Sequence, residues 1–329
     1  MQTYITNLNG LIGGNQEAQN MITDIACDDL NYRELGIYNY NWPNEPDEVL
    51  DNRIDGIIAS LHNNDTVIFQ FPTMSLSWDN RFINHVRAYD AHLIILIHDL
   101  PSQQGDNSDS QLLKQEIEFL NQADLIIAPS QKMVDLLNNN GLTVNRTVIM
   151  RMWDRPGVVN PNRKPKFNQV VSYLGDNPNQ QFFRHWDSDK YTLQLFEDNP
   201  NWKQQGVSFA KPHQKQELID NLRLSGGLSI VWDDTNEYYS LNPSYELSYY
   251  LAAGLPVIAP ANISVADIIQ KNNLGVLVDS KDAINSFLNE LTEDKYNEYV
   301  SSVDYYSNSL RMGINTKLVL NEAIYQLFL

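Results

Sequence analysis

The sequence is poor in cysteine, in basic residues and in long apolar runs, and each shortage excludes a class of protein. The one cysteine among 329 residues, Cys27, cannot form an intramolecular disulfide. It follows Met21, Ile22 and Ile25 in an apolar helical pattern, so we expect a core thiol rather than a nucleophile. No apolar run reaches the roughly 18 residues that span a bilayer. The first residues lack the basic and then apolar pattern of a signal peptide, so we expect a cytoplasmic protein without membrane insertion.

Basic side chains are also scarce relative to acidic ones. The chain has 23 Lys and Arg against 41 Asp and Glu, for a net charge of −18. Nucleic acids and anionic membranes are bound through an excess of Lys and Arg, so neither is an expected partner. If so acidic a chain binds a diphosphate, the local positive potential must come from a few basic residues and from backbone N–H groups.

Unbroken apolar runs alternate with helical patterns along the first half of the chain. The clearest runs are Thr66–Phe71, His92–Ile97 and Leu125–Ala128. Such runs are typical of parallel strands that helices cover on both faces. The pattern restarts at Gln169–Leu174, after a proline-containing linker. The chain is therefore predicted to be an α/β protein with two similar Rossmann-like halves.

The chain opens with a strand, a glycine loop and a helix, as a Rossmann-like domain does. The loop Gly10–Gly14 does not match the dinucleotide fingerprint, and no acidic residue follows a second strand in the required way. A nicotinamide cofactor is therefore not expected. The predicted domains are residues 1–155, residues 156–312, and a C-terminal helix over 313–329 that packs back on the first domain.

Polar residues follow two of the predicted strands. Ligands of parallel α/β sheets bind beyond the carboxyl ends of the strands, which makes Gln70, Phe71 and Thr73 candidates by position. His98 and Asp99 follow the next strand, where Asp99 would act as a general base toward a substrate hydroxyl. The alternative is that the His-Asp pair caps the following loop, and both roles stay open.

The histidines do not have the spacing that a zinc site on a helix requires. None of the six histidines has another histidine four residues away, which is the spacing of zinc ligands on a helix. Asp233 and Asp234 form an acidic pair after Trp232, for which we favour loop capping over metal binding. Neither the Gly-x-Ser-x-Gly turn of hydrolases nor a phosphate-binding P-loop is present. No metal and no cofactor are therefore expected.

One stretch, Tyr239–Ala259, contains both ends of a helix and the strand that follows it. Asn242 is a favoured N-cap, and Pro243 suits the first helical position because its missing N–H would be unpaired there. Gly254 followed by Pro256 is the matching C-terminal signal. The open N–H groups at such a helix start form a site for phosphate.

Several stretches resemble one bacterial family, in order and over essentially the whole chain. They are Tyr32–Tyr40, Asp65–Thr73, Ile97–Asp99, Ala123–Met133, Met152–Pro156, Val231–Asp234 and the opening strand and loop. The sequence resembles the glucosyltransferase 3, or nucleotide-sugar synthetase-like, family, which is related to β-galactofuranosyltransferases. Members extend O-linked GlcNAc on serine-rich-repeat adhesins. The resemblance implies the GT-B fold, with two Rossmann-like domains whose parallel sheets face each other across a cleft. It also implies a UDP-sugar donor that is held mainly by the second domain, and a homo-oligomer (dimer or tetramer).

The resemblance also implies roles for individual positions. The donor-binding positions are Gly13, Gly14, Gly175, Asn179, Phe209, Asn242, Ser244, Tyr245 and Glu246. Phe209 falls where the family places an aromatic residue beside the nucleobase. The acceptor-side positions are Gln70, Phe71 and Thr73, and the catalytic pair is His98 and Asp99. The family pattern has a lysine where this chain has Glu246 and an arginine near Asn179.

Two functions stay open, because the two missing basic residues would contribute much of the free energy of donor binding. A charge-assisted hydrogen bond to phosphate contributes roughly 1.5–3 kcal/mol, so losing two would lower donor affinity by about two to four orders of magnitude. Glu246 would instead stabilise the helix by occupying the anion site. The first function is transfer of a hexose, glucose or similar, from a UDP-sugar to a GlcNAc-modified serine-rich-repeat protein or a related glycan. The second is a catalytically impaired homologue that acts as a partner subunit or glycan-binding module.

Overall fold

The computed structural model describes residues 1–11, 14–39, 44–73, 75–104, 108–175, 186, 188–196, 203–211, 215–232 and 237–329. The chain divides into two compact units. The first comprises residues 1–151 and 315–329, and the second comprises residues 152–314. The division follows Arg151 rather than residue 155, because Met152 packs into a hydrophobic core of the second unit.

Parallel strands form the sheet of the first unit, in the order β2-β1-β3-β4-β5-β6. They are β1 (Thr3–Asn9), β2 (Arg33–Tyr38), β3 (Thr66–Phe71), β4 (His92–Ile97), β5 (Leu125–Ala128) and β6 (Thr147–Ile149). Nearly every residue of β3 and β4 is buried, which explains their continuous apolar sequences. Phe71 pairs with Ile97, so β3 and β4 end together at one edge of the sheet.

The helices of the first unit connect these strands. They are α1 (Gly14–Leu30), α2 (Asp47–Ile58), α3 (Leu76–Ala88), α4 (Ser110–Leu120) and α5 (Gln131–Asn139). Ser75, Asp109 and Ser130 accept hydrogen bonds from first-turn N–H groups of α3, α4 and α5. These side chains satisfy donors that a helix start leaves open.

The described part of the second unit contains another parallel sheet, in the order β12-β11-β10-β7-β8-β9. Its strands are β7 (Val170–Tyr173), β8 (Thr192–Phe196), β9 (Val207–Ala210), β10 (Leu228–Ile230), β11 (Val257–Pro260) and β12 (Gly275–Val278). Successive residues of β11 alternate between two hydrophobic cores: Val257 and Ala259 lie in one, and Ile258 lies in the other. The sheet is therefore covered on both faces.

The helices of the second unit are α6 (Lys215–Ser225), α7 (Tyr245–Ala253), α8 (Ala266–Lys271), α9 (Lys281–Glu290) and α10 (Glu293–Arg311). Every residue of α7 from Leu247 to Ala253 is buried. Gly254 follows with a φ of +88°, and the N–H of Leu255 donates to the carbonyl of Tyr250 at 2.9 Å. This arrangement is a Schellman motif, which needs a left-handed residue after the helix. The predicted stop at Gly254 is confirmed.

The C-terminal helix α11 (Ile314–Leu327) contacts the first unit through its described side chains. Lys317 forms an ion pair of 2.9 Å with Asp29 of α1. Arg146 donates to the carbonyl of Leu327 at 3.2 Å. The next residue, Phe328, packs edge-on against the ring of His92, with centroids 5.1 Å apart. These contacts hold the C-terminal segment on the first sheet and its helices.

The bounds of three buried strands, β3, β4 and β5, are those predicted from their apolar runs. The sequence also predicts a helix over residues 180–186, which fall almost entirely outside the described residues. Cys27 is half-buried rather than a core residue, because it lies near the end of α1 beyond Ile25. Burial, and then the carboxylate of Glu34, raise the pKa of its thiol, which keeps it protonated and weakly nucleophilic. In the described residues no helix is both long enough and apolar enough to cross a bilayer.

Candidate functional site

Strands β3 and β4 end in a buried pair of polar side chains. Nε2 of His98 lies 2.8 Å from Oε1 of Gln70, and each side chain is at most 3% exposed. The amide nitrogen of Gln70 donates to the carbonyl of Thr6 at 2.5 Å and to Oγ1 of Thr23 at 2.9 Å. Because the nitrogen faces these acceptors, Oε1 faces His98. The ring hydrogen of His98 is therefore assigned to Nε2.

Burial also decides the charge of His98. Desolvation lowers the pKa of His98 to about 3, so its ring is neutral near pH 7. With the hydrogen on Nε2, Nδ1 is an acceptor. A ring that gains a second proton only near pH 3 is a poor proton carrier at neutral pH. His98 is therefore suited to positioning the end of β4, next to half-buried Asp99, rather than to proton transfer.

The same network reaches the start of α1. Gln70 also donates to the carbonyl of Gln19 at 3.2 Å. The side chain of Gln19 donates in turn to the carbonyl of Pro72 and to Oδ1 of Asn15, both at 2.9 Å. Gly14, the first residue of α1, is exposed, and a Cβ added there would meet nothing within 4 Å. The first turn of α1 and the ends of β3 and β4 therefore lie together, with open backbone at Gly14.

The other acceptor-side candidates point into the unit. Phe71 is 1% exposed, and its ring packs against Phe119 with centroids 4.9 Å apart. Thr73 is 8% exposed, and its hydroxyl donates to the carboxylate of Asp79 on α3. Burial raises the pKa of Asp79 to about 7, although the hydrogen bonds from Thr73 oppose this shift. These side chains shape the edge of the sheet and offer little surface to a ligand.

In the second unit, α7 begins later than predicted. Its N-cap is Ser244, so Asn242 and Pro243 precede the helix and do not open it. Two contacts explain the difference. The indole N–H of Trp153 donates to the carbonyl of Pro243 at 3.0 Å, and the N–H of Asn242 binds the carbonyl of Tyr238 in a preceding turn at 2.9 Å. Asn242 is also only 6% exposed, so its side chain offers little surface to a ligand.

Glu246 lies half-buried in the first turn of α7. Its Oε2 accepts a hydrogen bond from Oγ of Ser244 at 2.7 Å, while Ser244 makes no side-chain bond to the helix backbone. Burial, and to a smaller extent the charge of Glu246, raise the pKa of Tyr250. The carboxylate therefore lies at the end of α7 where the helix dipole favours a negative charge.

Tyr250 connects α7 to the end of β7. Its hydroxyl accepts a hydrogen bond from the N–H of Leu174 at 2.5 Å. The next residue is Gly175, where an added Cβ would lie 2.5 Å from the hydroxyl of Tyr173. A side chain at this position would displace Tyr173, so only glycine fits beside that ring, and the residue itself is exposed. Gly175 and α7, both predicted to bind the donor, are brought together at the carboxyl edge of the second sheet.

A basic residue that the sequence did not single out lies beside α7. Arg155 is 5% exposed and donates to the hydroxyls of Tyr245, at 2.7 Å, and Tyr249. Its guanidinium carbon lies 3.6 Å from the centroid of the Tyr249 ring. The two tyrosines are one helical turn apart, so one planar guanidinium bridges both. Its partners are 90 and 94 positions away in sequence, so no local pattern indicates this contact. In the sequence, Arg155 is marked only by its place in the Met152–Pro156 stretch that resembles the family.

The remaining predicted positions are spread more widely. Phe209 lies on β9 and packs against the core on the face of the sheet opposite to α7. It does not share a core with Tyr245, which packs on the α7 side. Gly13, Asn179 and the acidic pair at 233–234 lie outside the described residues.

Known proteins match this chain over nearly its whole length. The model "Glucosyltransferase 3-like, N-terminal domain" matches residues 2–152, and the model "Glucosyltransferase 3-like, C-terminal domain" matches residues 171–323. Glucosyltransferase 3 of Streptococcus parasanguinis is 36% identical over 337 residues, which cover 99% of both chains. The β-1,6-galactofuranosyltransferase WbbI of Escherichia coli (strain K12) is 24% identical over 319 residues, covering 92% of this chain and 91% of that relative.

Among solved structures, sucrose-phosphate synthase from Thermosynechococcus elongatus matches with a TM-score of 0.67 and 12% identity, over 100% of this chain and 99% of that one. At such low identity the match shows the fold alone. Together with the two parallel sheets, it shows the GT-B fold. By its sequence and its fold, the chain belongs to the glucosyltransferase 3-like family of glycosyltransferases.

Proposed function

We propose that the chain transfers a hexose, glucose or a similar sugar, from a UDP-sugar to a GlcNAc-modified serine-rich-repeat protein or a related glycan. The second unit would bind the donor and the first unit the acceptor. The proposal is supported by the family and by one observation in particular. The start of α7, the exposed Gly175 and the buried Arg155 occur at one end of the second sheet.

The donor diphosphate would bind at the start of α7. First-turn N–H groups and the exposed Gly175 suit phosphate oxygens. Glu246 repels an anion there. Arg155 would supply a compensating positive charge, because its guanidinium is held at the hydroxyl of Tyr245 in the first turn of the helix. Coulomb interactions of a buried cation are stronger than those of an exposed one, since water screens them less.

In the first unit, Asp99 would act as the general base toward the acceptor hydroxyl. It adjoins His98, whose ring is fixed by Gln70. The neutral imidazole adds no positive charge that would lower the basicity of the carboxylate. A carboxylate within hydrogen-bond reach of the hydroxyl is sufficient for this role.

The proposal needs neither a metal nor an organic cofactor. Backbone N–H groups and Arg155 would supply the positive potential for the leaving diphosphate. As the family resemblance implies, the chain would act in the cytoplasm as a dimer or tetramer. Light scattering coupled to size-exclusion chromatography tests the subunit number, and a monomeric mass would contradict that part of the proposal.

A second function is favoured by Glu246 itself. The carboxylate accepts a hydrogen bond from Ser244 and occupies the anion position of the helix start. A chain whose donor site is filled in this way would keep the fold without the chemistry. It would then serve as a partner subunit or as a glycan-binding module.

Calorimetric titration with UDP-glucose and other UDP-sugars separates the two functions. The enzyme proposal expects dissociation constants in the micromolar to millimolar range, with transfer to a GlcNAc-bearing peptide. No binding of any UDP-sugar would overturn it. Glu246→Lys should tighten UDP binding by roughly tenfold or more, because it removes a repulsive charge and adds a donor. Glu293→Lys is the matched control, since exposed Glu293 lies in the first turn of α10; an equal effect of both variants would mean that only net charge matters.

A further inference from the structure

A cavity of about 610 Å³ opens in the first unit beside the end of strand β2. It is bounded by Tyr38 of that strand, by Glu45 and Arg53 at α2, and by Trp78 of α3. Sites for small molecules commonly measure about 300–1,000 Å³. Because β2 ends here, the cavity lies toward the carboxyl edge of the sheet, where ligands of parallel α/β sheets bind.

The ring of Tyr38 is exposed and yet fixed in place. The residue is 64% exposed, but a Cβ added to Gly10 would lie 3.0 Å from two atoms of its ring. The ring therefore rests directly on the backbone of Gly10, whose φ of +87° also favours glycine. The backbone at Gly10 contacts part of the ring, while most of the residue stays open to solvent. Such a ring is a platform for the apolar face of a ligand.

Glu45 and Arg53 add a balanced pair of charges to the same cavity. Nη2 of Arg53 lies 2.8 Å from Oε1 of Glu45. The other carboxylate oxygen, Oε2, is buried, and no described residue donates a hydrogen bond to it. Because Oε2 has no accessible surface, the half-exposed guanidinium of Arg53 is the part of this ion pair that a ligand hydroxyl can reach. Because the two charges cancel, the cavity offers donors and acceptors without favouring an ionic ligand.

We propose that this cavity binds a neutral saccharide, namely the sugar of the acceptor. The identity of that sugar rests on the proposed function, whereas the site itself rests on the geometry. A pyranose has an apolar face of C–H groups and a rim of hydroxyls that donate and accept. Tyr38 would contact the apolar face, and Arg53, held by Glu45, would donate to hydroxyls. Gly36 and Gly56 also line the cavity and have no side chain to obstruct the sugar.

Other ligand classes fit the cavity less well. A phosphorylated ligand would meet the carboxylate of Glu45 in a chain whose net charge is already −18. An extended peptide could pair with β2, which is an edge strand with open backbone groups. Such pairing uses backbone groups and does not need the ring of Tyr38. A substitution of this side chain therefore distinguishes a saccharide from a peptide.

The test is calorimetric titration of the full chain with a serine peptide that carries O-linked GlcNAc, with the unglycosylated peptide alongside. We expect Tyr38→Ala to weaken glycopeptide binding by at least about tenfold, which corresponds to about 1.4 kcal/mol. Tyr38→Phe should retain binding because the ring remains, and Arg53→Gln should weaken it by a smaller factor. Tyr305→Ala removes a tyrosine of the second unit that is 84% exposed, and this control should bind as the wild type does.

Equal glycopeptide binding by the wild type and Tyr38→Ala would overturn the inference. Equal binding of the two peptides would also overturn it and would indicate pairing with the edge strand. Titration with UDP-sugar keeps the two proposals apart. Loss of glycopeptide affinity in Tyr38→Ala with normal UDP-sugar affinity supports the cavity as the acceptor site. A chain that binds the glycopeptide through Tyr38 but binds no UDP-sugar would refute the proposed function and still support the saccharide site.

Discussion

Arg155 joins the first residues of the second unit to α7, and Arg155→Met would remove this bridge. Methionine has a similar unbranched apolar length but no guanidinium. The variant loses the hydrogen bonds to the hydroxyls of Tyr245 and Tyr249, and the contact of the cation with the Tyr249 ring at 3.6 Å. Arg155 is 5% exposed, so water has little access to the groups that are left.

The expected magnitude follows from these contacts. Hydrogen bonds that involve a charged group contribute about 1.5–3 kcal/mol each, and a desolvated cation–π contact contributes about 2 kcal/mol. The contributions share one side chain and are not additive. We expect the free energy of unfolding of the second unit to fall by about 3–5 kcal/mol. Arg155→Lys keeps the charge but not the planar fork, so it should lose about 1–3 kcal/mol.

Urea unfolding followed by circular dichroism measures this loss. Arg163→Met is the matched control, because Arg163 is an exposed arginine of the same unit and should change stability by no more than about 0.5 kcal/mol. A loss of less than about 1 kcal/mol in Arg155→Met would refute the bridging argument. A folded variant with wild-type affinity for UDP would separately refute the electrostatic role that we propose for Arg155 at the donor site.

Three further outcomes are expected. The pKa of Asp79 is about 7, above its ordinary 3.8, so the folded state holds a proton that the unfolded state releases. Protonated Asp79 therefore stabilises the fold fully below about pH 4, and this contribution of on the order of 4 kcal/mol is lost as the pH rises to about 7. Asp79→Asn should flatten the fall of the unfolding free energy with pH, measured by urea unfolding at several pH values. An unchanged pH dependence would contradict the assignment. Gly254→Ala should destabilise by about 1–2 kcal/mol because φ is +88°, whereas Gly56→Ala within α2 should not. EDTA should leave UDP-sugar affinity unchanged, and a loss that Mg²⁺ or Mn²⁺ restores would contradict metal-free binding.

The sequence predicts best those features whose cause is local. Strand β3 ends where its apolar run ends, because both of its faces are covered and every position must be apolar or internally paired. The end of α7 is also local, because Gly254 adopts the left-handed conformation at little cost. Neither feature depends on a residue far away in the chain.

The details of the candidate site depend on distant contacts. Asn242 and Pro243 read as a helix start in isolation, but Trp153, 90 positions away from Pro243, binds the carbonyl of that proline. Gln70 ends a strand at the edge where ligands bind, yet Thr6 and His98 hold its amide inside the unit. The sequence proposes these residues by their position at strand and helix ends, whereas the direction of each side chain is set by neighbours that no local pattern shows.

At the start of α7, helix stability and phosphate binding favour opposite charges at position 246. A carboxylate in the first turn stabilises a helix by about 0.3–1 kcal/mol, and here Glu246 also accepts a hydrogen bond from Ser244. A phosphate at the same helix start would gain from a positive charge instead. Glu246→Lys should therefore bind UDP more tightly and unfold at a lower urea concentration than the wild type. A variant that gains both affinity and stability would show that Glu246 does not stabilise α7, and one that gains neither would place the diphosphate away from this helix.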